Sequence, residues 1–303
     1  IVAMRLLFLD PGGATPIGAL FVYNHNPVAV HPEQRLVREA LSRPDLFVVG
    51  CEVQMTDSMA YADVILPACT HFEHADLFPA YGQTYVQRAD AVIPPVGEAL
   101  PNTEIFRRLA ARFGFDEPCF RATDSELMDD AIDGDDPRFG GVRPSRLPLA
   151  SARNMTAPDG ASPIVPFATV FPTTPSGKAE LASELTEAKR GFRVPVYRKV
   201  ESAWPLWLIT PSSADRTNAT FGGHEASSGM PPLEIHPDDA AARGIADGAE
   251  VRVWNDLGET RLKAVVTDAV RPGVVYSPKG TWARTSPTGD TVNALMVNAK
   301  ADL

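Results

Sequence analysis

Short apolar runs alternate with amphipathic stretches over residues 18–115. Ala19-Leu20-Phe21-Val22-Tyr23 predicts a buried strand, and Pro32 to Leu41 carries Leu36, Val37 and Ala40 on one helical face. Leu46-Phe47-Val48-Val49-Gly50 predicts a second buried strand, and Asp63-Val64-Ile65-Leu66-Pro67 a short third one. Ile105, Leu109 and Phe113 recur every four residues, which predicts a helix over 103–113, capped by Asn102 or Thr103 and closed by Gly114. Strands alternating with helices point to a parallel, doubly wound α/β sheet.

The pattern then changes. From 116 to 203 periodicity fades, prolines recur and acidic residues cluster around Asp129 to Asp136, as in a long connection. Helix propensity over Ser183 to Arg190 competes there with the turn chemistry of Thr174-Pro175-Ser176-Gly177. From 204 to 303 short strands return: Leu206 to Thr210, Leu233-Glu234-Ile235, and Val274-Val275-Tyr276. Val251 to Trp254 and Thr260 to Thr267 form a hairpin across Asn255-Asp256-Leu257-Gly258. A short helix follows Pro237 and ends at Gly244. Short strands, one helix and tight turns predict a closed barrel. The chain thus divides into a partial α/β domain over 1–115, an irregular connection over 116–203 and a β-rich domain over 204–303.

Its 303 residues are enough for roughly two domains. A net charge of −10 argues against a broad nucleic-acid surface. No apolar run approaches the roughly 18 residues of a membrane span. The sequence opens on Ile1 without a signal-peptide pattern and stops at Asn298 to Leu303 without a strand or cap, so it reads as truncated at both ends. Cys51, Cys69 and Cys119 are widely spaced, with no C-x-x-C pair to suggest zinc or an iron–sulfur cluster.

Polar clusters sit at the ends of the apolar runs. Asn24-His25-Asn26-Pro27 follows the first strand, where open α/β sheets bind ligands; Asn26-Pro27 also reads simply as a turn. After the second strand, Glu52 or Asp57 offers an acceptor to a ribose or a guanine edge, with helix capping at Thr56 or Asp57 as the plainer reading. In the β-rich region, Thr210-Pro211-Ser212-Ser213, Arg216, Asn218, Thr220 and Gly222-Gly223 suit an anion approached by backbone N–H groups, with Arg216 able to clamp a diphosphate; a solvated loop is the alternative. His71, Glu73 and His74 have no standard metal-ligand spacing. His236, just before Pro237, suits a cap better than a catalyst.

The order of these motifs carries a resemblance. Tyr23-Asn24-His25-Asn26-Pro27, Met55-Thr56-Asp57 and Ala62-Asp63-Val64-Ile65-Leu66-Pro67 with Glu73 resemble the second α/β domain of the molybdopterin oxidoreductases of the dimethyl-sulfoxide-reductase superfamily. Leu208-Ile209-Thr210-Pro211, Asn218-Ala219-Thr220-Phe221, Glu234-Ile235-His236-Pro237-Asp238-Asp239-Ala240, Lys279-Gly280-Thr281-Trp282 and Val292-Asn293-Ala294-Leu295 resemble that family's C-terminal dinucleotide-binding domain, a double-psi β-barrel. Phe171 to Leu181 resembles a segment that runs extended there, which sets a strand over 178–182 against the helix propensity.

The resemblance implies the C-terminal part of an enzyme that holds molybdenum or tungsten in a bis-(molybdopterin guanine dinucleotide) cofactor. By carry-over, Asn24, Asn26, Glu52 and Asp63 lie near one guanosine, while Thr210, Arg216, Asn218, Lys279, Trp282 and Asn293 line the barrel's side of the cofactor. The metal-ligating residue and a 4Fe-4S cluster belong to an upstream part, so the fragment is expected to be inactive alone. An electron-transfer subunit is an expected partner, and the expected compartment is cytoplasmic, or periplasmic if a twin-arginine signal lies upstream. Two other readings compete: a non-catalytic relative such as the large peripheral subunit of respiratory complex I, and a stand-alone binding or assembly module.

Overall fold

The computed structural model describes residues 17–79, 81–82, 85–132, 141–154, 165, 167–168, 173–197, 199, 201–214 and 216–297. The expected features at Phe171-Pro172, at Asp133 to Asp136 and at Asn298 to Leu303 lie outside the described residues. The chain forms two compact units, one from residues 1–66 and 198–303, the other from 67–197.

The first unit opens with β1 (Ala19–Tyr23), α1 (Pro27–Val30), α2 (Gln34–Leu41), β2 (Phe47–Glu52) and β3 (Val64–Pro67). These strands form a sheet in the order β1-β2-β3, with β1 and β2 parallel and Ala19 opposite Phe47. The buried-strand expectation needs correcting for β1. Only Val22 is buried, and Ala19, Phe21 and Tyr23 are exposed, because successive side chains leave opposite faces of the pleat and the unit's core lies on one of them. Val22 and Val48 pack there with Val37, Ala40 and Leu41 of α2 and with Met59. Leu36, expected on the same helical face, is only half-buried; fully buried Gln34 occupies the stripe with Val37 and Leu41.

The second unit holds β4 (Asp76–Pro79), β5 (Tyr85–Ala89), α3 (Asn102–Phe113), α4 (Asp124–Asp130), β6 (Arg153–Asn154) and α5 (Glu184–Arg190). β4, β5 and β6 form an antiparallel sheet that the pattern analysis did not anticipate. Helix α3 ends at Gly114, whose φ of 77° suits the left-handed cap. Its N-cap is Pro101, not Asn102 or Thr103: the Pro101 carbonyl accepts from Ile105 N–H at 3.0 Å, which puts Asn102 inside the first turn. Thr123 and Glu126 close a capping box on α4. The strand expected over 178–182 is absent; the helix that propensity gives over Ser183 to Arg190 forms as α5, capped by Ser183 and closed by Gly191. Leu181 is 87% exposed, so burial gives an extended segment nothing there, and local capping chemistry decides.

The first unit resumes with β7 (Trp207–Ile209), β8 (Pro232–Ile235), α6 (Pro237–Ala241), β9 (Glu250–Asn255), β10 (Gly258–Val266) and β11 (Val274–Tyr276). Each matches an expected element. They form a mixed sheet in the order β7-β11-β8-β10-β9, with β7–β11 and β8–β10 parallel. Leu233, Ile235, Val251, Leu262, Ala264 and Val275 fill its core. His236 caps α6, its Nδ1 accepting from Asp238 N–H at 3.2 Å.

Helix α1 ties the two stretches of this unit together. Being only four residues long, it leaves the carbonyls of Val28 and Ala29 without helical partners. Val28 O accepts from Gln34 Nε2 at 3.0 Å, and Ala29 O accepts from Asn293 Nδ2. Gln34 Oε1 in turn accepts from Thr291 N–H at 3.1 Å. The Asp57 carboxylate accepts from the Ala283 and Arg284 N–H groups, so its role is to hold this joint. At either end of α1 stand His25 and His31, their Nε2 atoms 2.8 Å apart.

Replacing Gln34 by Leu leaves Val28 O and Thr291 N–H buried without partners. We expect a loss of about 1–3 kcal/mol in urea unfolding followed by tryptophan fluorescence; an unchanged midpoint would show that the amide bridge contributes nothing. Burial, and then the neighbouring His25 ring, hold the His31 imidazole down to about 4, against 6.5 when free. The unfolded chain therefore binds the proton first. His31's contribution is whole above pH 6.5 and lost as the pH falls from there to about 4. Over that window the stability of His31→Gln should fall less steeply with acid than the wild type's.

Candidate functional site

Parallel neighbours β7 and β11 end side by side, and their loops continue the pairing. Ser277 N–H donates to Ile209 O and Lys279 N–H to Pro211 O, each at 3.0 Å. Pro211 to Ser213 and Ser277 to Lys279 therefore run together beyond the carboxyl ends of two parallel strands. Arg216 folds back to bridge Ser213, and its Nη1 donates to Thr281 Oγ1 at 3.0 Å. Gly280, at φ 98°, touches this loop so closely that a Cβ there would lie 1.8 Å from Asn218 O. Asn218 itself is left-handed, at φ 53°.

Among the described residues, three side-chain atoms in this loop pair are buried and have no hydrogen-bond partner: Ser213 Oγ, Arg216 Nε and Ser277 Oγ. Each is a donor, and each unpaired donor costs about 1–3 kcal/mol when shut away from water. Lys279 adds a positive charge to the same loops. A fourth unpaired donor, Asn26 Nδ2, sits at the end of β1. Asn26 is buried, and its Oδ1 accepts from Ser58 Oγ at 2.7 Å, which fixes the amide and leaves the NH₂ as its unmatched side.

The remaining expected site residues divide by what their polar atoms touch. Asn24 is left-handed at φ 46°, with its N–H on Cys51 O at 3.2 Å. Glu52, half-buried at the end of β2, has its carboxyl pushed up by burial, an effect opposed by the Val53 N–H at 2.8 Å. Asp63 holds β2 through Val48 N–H at 2.7 Å. Thr210 Oγ1 reaches Met296 Sδ at 3.7 Å. Trp282 is 2% exposed, donates to Ala219 O at 2.6 Å, packs on Ala29 and lies under the Arg284 guanidinium. Asn293 donates to Ala29 O as described above. All ten expected residues fall in one compact unit, although Asn24 and Asn293 stand far apart in sequence.

Sequence reasoning passed over two residues. Ser213 lay inside a noted cluster, but nothing marked it out from Ser212. Ser277 follows an apolar strand and carries no motif; only its complete burial distinguishes it. Glu73, considered beside His71 and His74, has a structural task in the second unit. Its carboxylate accepts from Thr70 Oγ1 and N–H, both at 2.7 Å, and from Val96 N–H at 2.6 Å, and these bonds hold it below the usual glutamate range.

Residues 11–112 match the molybdopterin oxidoreductase family and residues 206–303 the Molydopterin dinucleotide binding domain. The chain is 35% identical to the probable oxidoreductase YoaE of Bacillus subtilis, over 98% of this chain and 43% of that protein. It is 28% identical to trimethylamine-N-oxide reductase of Haemophilus influenzae, over 95% of this chain and 38% of the relative. Identity is also 28% with a dimethyl sulfoxide/trimethylamine N-oxide reductase of Rhodobacter capsulatus, over 85% and 35%. The chain thus spans less than half the length of these relatives. Its fold is like that of acetylene hydratase from Pelobacter acetylenicus, with a TM-score of 0.73 at 22% identity, over 98% of this chain and 42% of that one. Two family matches in series, with relatives aligned along nearly the whole sequence, place the chain in the molybdopterin oxidoreductase family of the dimethyl-sulfoxide-reductase superfamily.

Proposed function

We propose that this chain is the cofactor-gripping C-terminal part of a bis-(molybdopterin guanine dinucleotide) oxidoreductase, holding a nucleotide tail by its diphosphate and guanosine. The observation that carries the reading is the set of buried, unpaired donors Ser213 Oγ, Arg216 Nε and Ser277 Oγ beyond the ends of β7 and β11. Donors without acceptors suit a ligand that brings acceptors only, as a diphosphate does. Bound there, the cofactor would supply two-electron chemistry at molybdenum or tungsten.

The chain's own part is recognition. Arg216 keeps one guanidinium nitrogen on Thr281 and offers Nε to a phosphate oxygen. Lys279 neutralises charge, and the left-handed turn at Asn218 brings backbone close to the ligand. On the α/β side, Asn24 and Asn26 offer amides, while Glu52 accepts from a ribose or a guanine edge. Trp282 and Asn293 serve by fixing the two stretches of the unit against each other. In this reading residues 204–303 close as a double-psi β-barrel. The metal-ligating residue, a 4Fe-4S cluster and any electron-transfer subunit belong with the parts of the relatives that this chain does not cover.

Guanosine diphosphate is a direct probe. Calorimetric titration of the chain should show saturable binding, weakened about tenfold or more in Arg216→Ala, since a charge-assisted contact is lost. Equal affinity in wild type and variant, or no binding, would sink the diphosphate assignment. Asp63→Asn separates anchoring from recognition. If its carboxylate serves only Val48 N–H, thermal stability falls and guanosine diphosphate affinity holds; a parallel loss of affinity puts Asp63 on the nucleotide.

A further inference from the structure

Helix α1 is flanked by two imidazoles whose Nε2 atoms lie 2.8 Å apart, with ring centroids at 4.9 Å and ring planes at 73°. His25 is exposed and His31 half-buried, so solvent reaches the pair. His31 N–H donates to Pro27 O at 3.0 Å as the C-cap of α1, and His25 sits between the end of β1 and buried Asn26. Burial lowers the proton affinity of both rings, which leaves them neutral at neutral pH.

We propose that His25 and His31 form a bidentate site for a divalent transition-metal ion that favours tetragonal coordination, of the copper(II) or nickel(II) kind. Two metal–nitrogen bonds of about 2.0 Å meeting at a right angle set their nitrogens about 2.8 Å apart, whereas a tetrahedral ion asks for about 3.3 Å. In the free chain this separation is that of a hydrogen bond between the two rings, and it matches the first; on binding, the ring that donates the bond carries its proton on Nδ1 instead and the ion replaces the shared proton. Torsion of each imidazole about its Cβ–Cγ bond is soft, which lets both Nε2 lone pairs converge on one ion. Water completes the coordination sphere on the exposed side. The short helix holds the two imidazoles at a set spacing, so little ordering remains to be done on binding. Among the described residues neither imidazole bonds to the loops after β7 and β11, so binding of the ion to the free chain does not depend on the proposed diphosphate contact. Its effect is mechanical: an ion joining the two ends of α1 braces the helix that carries Asn26 and receives the bonds of Gln34 and Asn293.

The test is titration of the chain with nickel(II) by calorimetry and with copper(II) by electron paramagnetic resonance. One ion should bind, with hyperfine splitting from two imidazole nitrogens and a rise in unfolding temperature. His25→Ala and His31→Ala should each weaken it at least about tenfold, as loss of one of two ligands demands. His71→Ala with His74→Ala, the other near pair among the six histidines, should leave it unchanged. Full-strength binding to His25→Ala, loss of binding in the His71/His74 variant, or no binding to the wild type overturns the proposal. Should His31→Ala misfold by circular dichroism, His25→Ala, on an exposed ring, decides alone.

Discussion

A one-turn helix cannot satisfy its own backbone, and much of the first unit is arranged around that constraint. Helix α1 has Val28 O and Ala29 O to place, and buried carbonyls without partners are costly. Gln34 and Asn293 supply the donors, and Ser58 Oγ takes the Val28 N–H at 3.0 Å. These partners come from three separate stretches of sequence. The helix therefore forms only when those stretches are already together, and it holds them there. Trp282 seals the arrangement by covering Ala29 and Ala219.

Polar satisfaction also separates scaffold from site. Asp57, Trp282 and Asn293 each bond a backbone group within the chain. Ser213 Oγ, Arg216 Nε and Ser277 Oγ are buried and, among the described residues, unmatched. Among the described residues, unmatched hydroxyl and guanidinium donors in adjoining loops are what supports the proposed anion site. Close packing sets their position. Gly280 lets the Asn218 carbonyl come within the space of a methyl group, and Gly222 does the same against Gly280 O and Trp282. A side chain at either glycine would push the two loops apart.

The second unit follows different rules. The ends of its helices are fixed by local chemistry: the Thr123–Glu126 box, the Ser183 cap and the Gly114 and Gly191 left-handed turns. Glu73 does for a loop what these caps do for helices, gathering three donors onto one carboxylate. Here local hydrogen bonding settles conformation where long-range burial is weak: beside exposed Leu181 no strand forms over 178–182, while the capped helix over 184–190 does.

Apolar spacing by itself determined the strands of the first unit, the long helix α3 and the hairpin of β9 and β10, because burial periodicity is written directly in the order of residues. The ordered motifs determined the family. Local patterns missed β4 and β5, whose residues are mostly half-buried or exposed and so alternate weakly. They overstated the burial of β1, since an apolar run does not say whether one face or both will be covered. The site was legible as types of residue at strand ends, but not as roles. Asn26 and Asn293 look alike in sequence. Only the tertiary structure gives one an unpaired amide and the other a backbone carbonyl, because whether a polar atom is free for a ligand depends on what the rest of the chain brings within about 3 Å of it.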